Sequence, residues 1–222
     1  MFKNFHKNKY NSGTTLIELL VVIFIFMIIT GITIFNYGKF NSSLSIQNLA
    51  DDIALTVRRA QGYAIGVRGY GNSFVQGYGV HFTTNPLNVG QEYKGSNKSF
   101  ILFADMSNYN KYDQNTGNCG APTPNNECIE ILSILSADKI ESITLNNGTV
   151  VPDSGSVDIM FKRPNPEPTF CYRSDSSNNS CVGVDISSIK IKISNISNSE
   201  VFKFITISNN GQISVSGNDN AN

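Results

Sequence analysis

The stretch Gly13-Thr14-Thr15-Leu16-Ile17-Glu18-Leu19-Leu20-Val21-Val22-Ile23-Phe24-Ile25-Phe26-Met27-Ile28-Ile29-Thr30-Gly31-Ile32-Thr33-Ile34-Phe35 governs the reading of the whole chain. From Leu19 to Phe35 only Thr30, Gly31 and Thr33 are not apolar. Thr14 to Phe35 is 22 residues, enough at about 1.5 Å per residue to cross a bilayer as a helix. Lys3, Lys7 and Lys9 make the preceding flank basic, and no such cluster follows the run. The amino end is therefore expected inside the cytoplasm and the bulk outside. One acid, Glu18, stands at the mouth of this segment. A lone carboxylate in lipid costs about 3 kcal/mol on insertion scales, so such a group has a partner and a task. The economical partner is the positive end of another copy of the helix, which points to an assembly protein.

An ordinary secretory signal has a shorter apolar region followed by a small-residue cleavage site. Here no Ala-x-Ala-like site follows the run, and the small residue, Gly13, precedes it. The Lys-rich leader, Ser12-Gly13 and Thr14-Thr15-Leu16-Ile17-Glu18-Leu19-Leu20-Val21-Val22 together resemble the type III signal of type IV pilins and type II secretion pseudopilins. The resemblance implies cleavage between Gly13 and Thr14 by a membrane-embedded prepilin peptidase, then methylation of the new amino terminus on Thr14. Thr14 stands where the family usually has Phe. Independently of the family, a freed Thr14 amino group at a helix start adds to the positive end of the macrodipole. Glu18, one turn on, compensates that charge in the same or an adjacent subunit and so sets filament register.

At 222 residues the chain suits one domain, or one domain plus an appendage. Only 15% of residues are charged and the formal net charge is zero. Without the three leader lysines, 14 basic residues face 17 acidic ones. That mildly acidic body argues against general electrostatic capture of nucleic acid. Cys119, Cys128, Cys171 and Cys181 form two local pairs in Gly/Pro/Asn/Ser-rich stretches, and an even count outside the cytosol reads as disulfides. Of three pairings, the two short ones are favoured, each stapling a loop for about 2–3 kcal/mol in the chain-entropy model. Zinc is the rival reading, against which the spacings count, since such sites favour close Cys-x-x-Cys pairs.

Past the apolar run, Ile46, Leu49, Ile53, Val57, Ala60 and Ala64 recur at helical spacing and define one buried stripe. Asn36 and Gly38 are weak points, Asn41-Ser42-Ser43 a restart, and Gly62, Gly66 and Gly69 a stop. The cover for this stripe is β-structure. Expected strands are Phe74–Phe82, Ser99–Ala104, Cys128–Leu135, Ile140–Leu145, Ser156–Lys162, Phe170–Tyr172, Asp185–Ser194 and Val201–Ser208, with a terminal hairpin turning at Asn210-Gly211. Pro164, Pro166 and Pro168 punctuate a loop beside the second cysteine pair.

A long helix on an antiparallel sheet is the pilin architecture, α+β in class. Leu49-Ala50-Asp51-Asp52-Ile53-Ala54-Leu55-Thr56-Val57-Arg58-Arg59-Ala60-Gln61 and the closing Thr206-Ile207-Ser208-Asn209-Asn210-Gly211-Gln212-Ile213 resemble the minor pseudopilin H and FimT family. The implied organisation is a leader over 1–13, a transmembrane and filament-core helix over 14–36, an amphipathic second half over 37–66, and an extracytoplasmic β-rich head over 67–222. The implied partners are prepilin peptidase, other pilin subunits and the cytoplasmic membrane. The implied function is a minor pilin or pseudopilin of a type IV pilus-like filament, first in the inner membrane, then in a surface or periplasmic filament. A pilus, a secretion pseudopilus and a competence pilus share the motif.

Nothing else in the chain argues for chemistry of its own. His6 falls in the leader, and His81 reads as a strand residue facing water or a neighbour, with no acid placed beside it by the sequence. Phosphate loops, Gly-x-Ser-x-Gly and His-Glu-x-x-His are absent, so no catalytic residue and no cofactor is expected. Asp105, Ser107 and Asp113 occupy positions one, three and nine of a calcium-loop-like series, but Asn110 replaces its Gly and no Glu closes it. A plain polar turn is the preferred reading, and no metal is expected. The alternative function, a DNA- or surface-binding adhesin subunit, would use Lys162, Arg163, Arg173, Lys190 and Lys192. The acidic balance and the arginine-free tail Gly217-Asn218-Asp219-Asn220 count against it.

Overall fold

The structure, a computed structural model, describes residues 13–66, 68–71, 73–86, 92–107, 109–113, 119–120, 126–165, 167–175, 180–182 and 185–217. The leader with His6, the loop residue Pro166 and the tail after Gly217 lie outside the described residues. By contacts the chain divides into two units, Met1–Asn41 and Ser42–Asn222.

Helix α1 runs over Leu16–Ile65. It starts there because Thr15 caps it: the Thr15 Oγ1 accepts the backbone N–H of Glu18 at 3.3 Å. In the first unit, the most apolar 18-residue window of the helix has a mean hydropathy of 2.8 and no buried residue. The two hydroxyls in this run are satisfied locally, Thr30 donating to the Phe26 carbonyl at 2.7 Å and Thr33 to Ile29 at 2.8 Å. Such back-bonding removes the demand for water that a hydroxyl would otherwise make in lipid. The expected restart at Asn41-Ser42-Ser43 does not occur, since helical hydrogen bonding continues through Gly38 and these three residues. A single glycine costs a helix only about 1 kcal/mol, which the rest of a 50-residue element absorbs.

In the second unit the helix buries Ile46, Leu49, Ala50, Ile53, Val57, Ala60 and Ala64 and leaves Asp51, Asp52, Leu55 and Arg58 exposed. The stripe is the one that the periodicity predicts, with Ala50 added. It ends at Ile65, with Gly66 in the following turn.

After the helix come β1 (Gly69–Tyr70), β2 (Ser73–Phe74), β3 (Gly77–Thr83), a single 3-10 turn at Glu92–Lys94 and β4 (Ser99–Ala104). Then follow β5 (Cys128–Ser133), β6 (Asp138–Leu145), β7 (Ser156–Lys162), β8 (Pro168–Arg173), β9 (Ser188–Asn195), β10 (Phe202–Ser208) and β11 (Ile213–Gly217). The head is not one sheet. Besides the short β1–β2 ribbon it has a five-stranded sheet, β5-β4-β3-β7-β8, and a four-stranded one, β11-β10-β9-β6, every pair antiparallel. The class is α+β, a long amino-terminal helix packed on antiparallel sheets, as the pilin resemblance implied.

Pleat parity explains the packing. Val80, Phe82, Phe100, Leu102, Ile159 and Phe161 on the five-stranded sheet join the isoleucines of β9 and β10 and the helix stripe in one core. The opposite parity, Ile101, Phe103 and Met160, forms a second cluster with Tyr112 and Cys128. Strands β3 and β4 are buried at every position, so they show no apolar–polar alternation. Gly79 belongs to this crowding: a Cβ there would stand 2.6 Å from the Phe103 ring and 2.7 Å from the Ile159 carbonyl oxygen. The last hairpin turns over three residues, Asn209 to Gly211. The Ser208 carbonyl accepts from Gly211, the Ser208 N–H donates to Gln212, and Gly211 sits at φ 81°.

Candidate assembly segment and the polar clusters of the head

Gly13, Thr14 and Thr15 precede the first helical turn and are exposed. Thr15 and Glu18 have the spacing of a capping box, in which a residue of the Glu or Gln type three positions on reaches back toward the cap. The structure shows one half of that pattern, the Glu18 N–H donating to Thr15 Oγ1.

His81 does not face water. Its Nδ1 lies 2.6 Å from Asp158 Oδ1, on the cross-strand partner in β7, and its Nε2 lies 3.3 Å from the Lys94 carbonyl. The other Asp158 oxygen accepts from Arg173 Nη2 at 3.0 Å and from the Tyr112 backbone N–H at 3.2 Å. Asp158 is wholly buried, and His81 and Arg173 nearly so. The acid that the sequence failed to place beside His81 is therefore present. The second nitrogen of His81 faces a backbone carbonyl, and the Asp158 carboxylate joins β3, β7 and β8 through His81 and Arg173. Burial, aided by the charges of Glu127 and Asp158, pushes the neighbouring Tyr112 phenol well above its ordinary range.

The calcium-like residues do gather, around an acid that the series did not include. Glu127 Oε1 accepts the backbone N–H groups of Met106 (3.0 Å) and Ser107 (3.1 Å) and the Ser107 hydroxyl (2.9 Å), while Oε2 accepts from the Asp113 N–H at 2.7 Å. Asp105 accepts from the N–H groups of Tyr109 and Asn110, each at 3.2 Å, and Asp113 pairs with Lys111 at 2.6 Å. Asn110 takes φ 62°, the left-handed geometry that Asn tolerates. The carboxylates are thus engaged within the loop, Glu127 and Asp105 mainly by backbone donors and Asp113 by Lys111 and Ser107. Among the described residues no group of three or more His, Cys, Asp or Glu is arranged to hold a metal ion. Burial is the main cause that raises Glu127 to about 7, with the Asp105 charge adding and the hydrogen bonds opposing.

A fourth buried carboxylate, Asp138, ties the helix to the sheet. It accepts from the Ser45 hydroxyl, from Ser136 Oγ at 2.7 Å and from Asn195 Nδ2 at 2.7 Å. The cysteines are joined as Cys119–Cys128 and Cys171–Cys181, closing sequence separations of 9 and 10. Of the basic residues considered for nucleic acid, Arg173 is consumed by Asp158, and Arg163 donates to the Val75 carbonyl at 2.8 Å. Lys190 and Lys192 project from the outward face of β9.

The family model of the prokaryotic N-terminal methylation motif matches residues 8–34. The chain thus carries that motif, on the segment where the exposed apolar helix begins. Two crystal forms of the type IV minor pilin FimU of Pseudomonas aeruginosa (strain PAO1) are similar in structure at 10% identity. One gives a TM-score of 0.42 over 81% of this chain and 97% of that chain, the other 0.40 over 78% and 97%. No curated protein matches the sequence.

Proposed function

We propose that this bearer of the prokaryotic N-terminal methylation motif is a type IV pilin-like minor subunit, made as a prepilin and built into a filament. Prepilin peptidase cuts between Gly13 and Thr14, and Thr14 receives the methyl group. Residues 14–36 span the cytoplasmic membrane with the amino end inside, 37–66 form the amphipathic half of the helix, and 67–222 form the head outside. On extraction from the membrane the same apolar residues enter a bundle of subunit helices, where Glu18 compensates the Thr14 amino group of its own or an adjacent subunit. The work is structural, and a partner motor would supply the energy.

One observation carries this reading: the match over residues 8–34 falls on a helix that exposes its whole apolar window, headed by a single acid. A soluble protein cannot leave that much apolar surface in water, so lipid or other helices must cover it. Two disulfides in the head suit an oxidising compartment beyond the cytoplasm. Mass spectrometry of the amino terminus tests the proposal. A mature chain beginning at Thr14 is expected, and an intact leader in cells with active peptidase overturns it.

The second reading, a DNA- or surface-binding adhesin subunit, loses two of its five candidates, Arg163 and Arg173, to contacts within the fold. A gel shift with the purified protein at physiological salt, lost on charge reversal at Lys190 and Lys192, would restore it.

A further inference from the structure

Two surfaces of the head are complementary to each other. The first is the outward face of the four-stranded sheet. Along it Lys190 and Lys192 of β9 stand diagonally to Phe204 and Phe202 of β10. Lys190 Nζ lies 4.1 Å from the Phe204 ring centroid and Lys192 Nζ 4.7 Å from that of Phe202. The rings meet edge to face with centroids 5.4 Å apart. Neighbouring outward positions Thr144, Thr206, Ser214 and Ser216 are uncharged, Glu141 pairs with Lys192 at 2.9 Å and also feels the charge of Lys139, and Lys139 adds a further cation beside Ser194. An ordered, half-exposed aromatic pair flanked by cations on a Ser/Thr surface has the composition of a binding hot spot, because the rings lose little freedom on docking.

The second surface is a cleft of about 420 Å³ between the helix and strand β5. Leu49, Phe100 and Leu132 give it an apolar floor, and its charged lining residues are Asp52 and Glu130, both acidic. Glu130 pairs with Arg59, and Asp52 is exposed. Beside it Leu135 is 95% exposed, the largest exposure of any large apolar residue described. The cleft's volume is in the range of sites that take a ligand or a pair of side chains.

We propose that Phe202 and Phe204, with Lys190 and Lys192, dock into the helix–β5 cleft of a second copy of this chain. The rings would fill the apolar floor and the lysines would meet Asp52 and Glu130. Charge complementarity names the occupant: Lys190 on one face and Asp52 in the other's cleft form no salt bridge within their own chain among the described residues, so each offers a charge that the other can meet. The contact uses different patches on the two copies, so it is heterologous and is not a two-fold dimer. It deepens the filament reading, on which it rests for bringing subunits together, by naming a head-to-head contact beyond the helix bundle.

The test uses the full chain in detergent micelles at a concentration where copies associate. A benzophenone amino acid replaces Thr206, on the face beside Lys190, and crosslinks are mapped by mass spectrometry. Crosslinks to residues 45–52 or 130–136 of another copy are expected. Lys190→Glu with Lys192→Glu reduces their yield by about tenfold or more, because like charges then face each other, and adding Asp52→Lys restores part of it. The neutral pair Lys190→Gln with Lys192→Gln gives an intermediate yield, and circular dichroism shows that all variants keep the fold. Crosslinks that map elsewhere, or a yield indifferent to charge, overturn the proposal. So does single-stranded DNA binding by this face in the absence of subunit crosslinks. The amino terminus is read from the same samples. An uncut leader refutes the filament reading while the crosslinks still decide the contact.

Discussion

Replacing Asp158 by Asn removes one charge and almost no volume from the most buried polar cluster of the head. The carboxylate is 0% exposed and holds His81, Arg173 and the Tyr112 backbone at 2.6 to 3.2 Å. In the variant the Arg173 guanidinium, 5% exposed, keeps its charge with no acid against it, and the new amide turns donors toward at least one existing donor. Breaking a buried ion pair by removing one partner costs about 3–5 kcal/mol, a third or more of the total stability of many domains. For a domain of this size that is a fall in Tm of about 6–20 °C. Removing Arg173 as well, as Asp158→Asn with Arg173→Met, takes away the stranded charge, so the double variant is more stable than the sum of the single losses predicts. Thermal and denaturant unfolding of the full chain in micelles, followed by circular dichroism, measures all four corners of that cycle. A single variant within about 1 kcal/mol of the parent, or strict additivity in the cycle, would show that the cluster bears no such weight.

Glu127 gives a pH signature. Its folded pKa of about 7 lies above its ordinary 4.5, so its proton stabilises the fold fully below about 4.5, and that contribution is lost as pH rises through 7. Denaturant midpoints from pH 4.5 to 8 should therefore fall for the parent by up to about 3 kcal/mol more than for Glu127→Gln; equal slopes refute the assignment. Cys171→Ser with Cys181→Ser should lower stability by about 2–3 kcal/mol in denaturant titrations, and unchanged midpoints would show that the closed loop matters little. Gly79→Ala forces a Cβ within 2.6 Å of the Phe103 ring and should cost about 1–3 kcal/mol, read as a lowered Tm. Glu18→Gln keeps a capping side chain but no charge, and is predicted to be cleaved yet poorly incorporated into filaments; incorporation at the parental level by immunoblot of sheared filaments would make the charge dispensable.

What the sequence made legible was local in pattern, and what it hid was assembled from distant residues. The apolar run, the helix stripe and strands such as Ser99–Ala104 and Ser156–Lys162 announce themselves through periodicity over a few neighbours, and their bounds match the structure to the residue for these two. The split of the head into two sheets does not. A strand's sequence records which positions are buried, not which sheet lies beside it, and β3 and β4, covered on both faces, carry no alternation at all. His81 and Asp158 are separated by 77 positions and Arg173 by 15 more, so no spacing rule joins them. Glu127 escaped for a related reason. It lies outside the calcium-like series but returns through the Cys119–Cys128 staple to hold that loop from beneath. Glu18 is the contrary case, a residue legible twice over. Thr15 Oγ1 accepts the Glu18 N–H within one helix, and Gly13, Thr14 and Glu18 lie inside the matched N-terminal methylation motif. The two readings are compatible because they draw on different parts of the residue. The cap uses its backbone N–H, whereas pairing with a freed amino terminus would need the side-chain charge. A helix start fixed by Thr15 also fixes where Glu18 points relative to Thr14. On the proposed filament function, the cap would hold the carboxylate in register for assembly and would not compete for it.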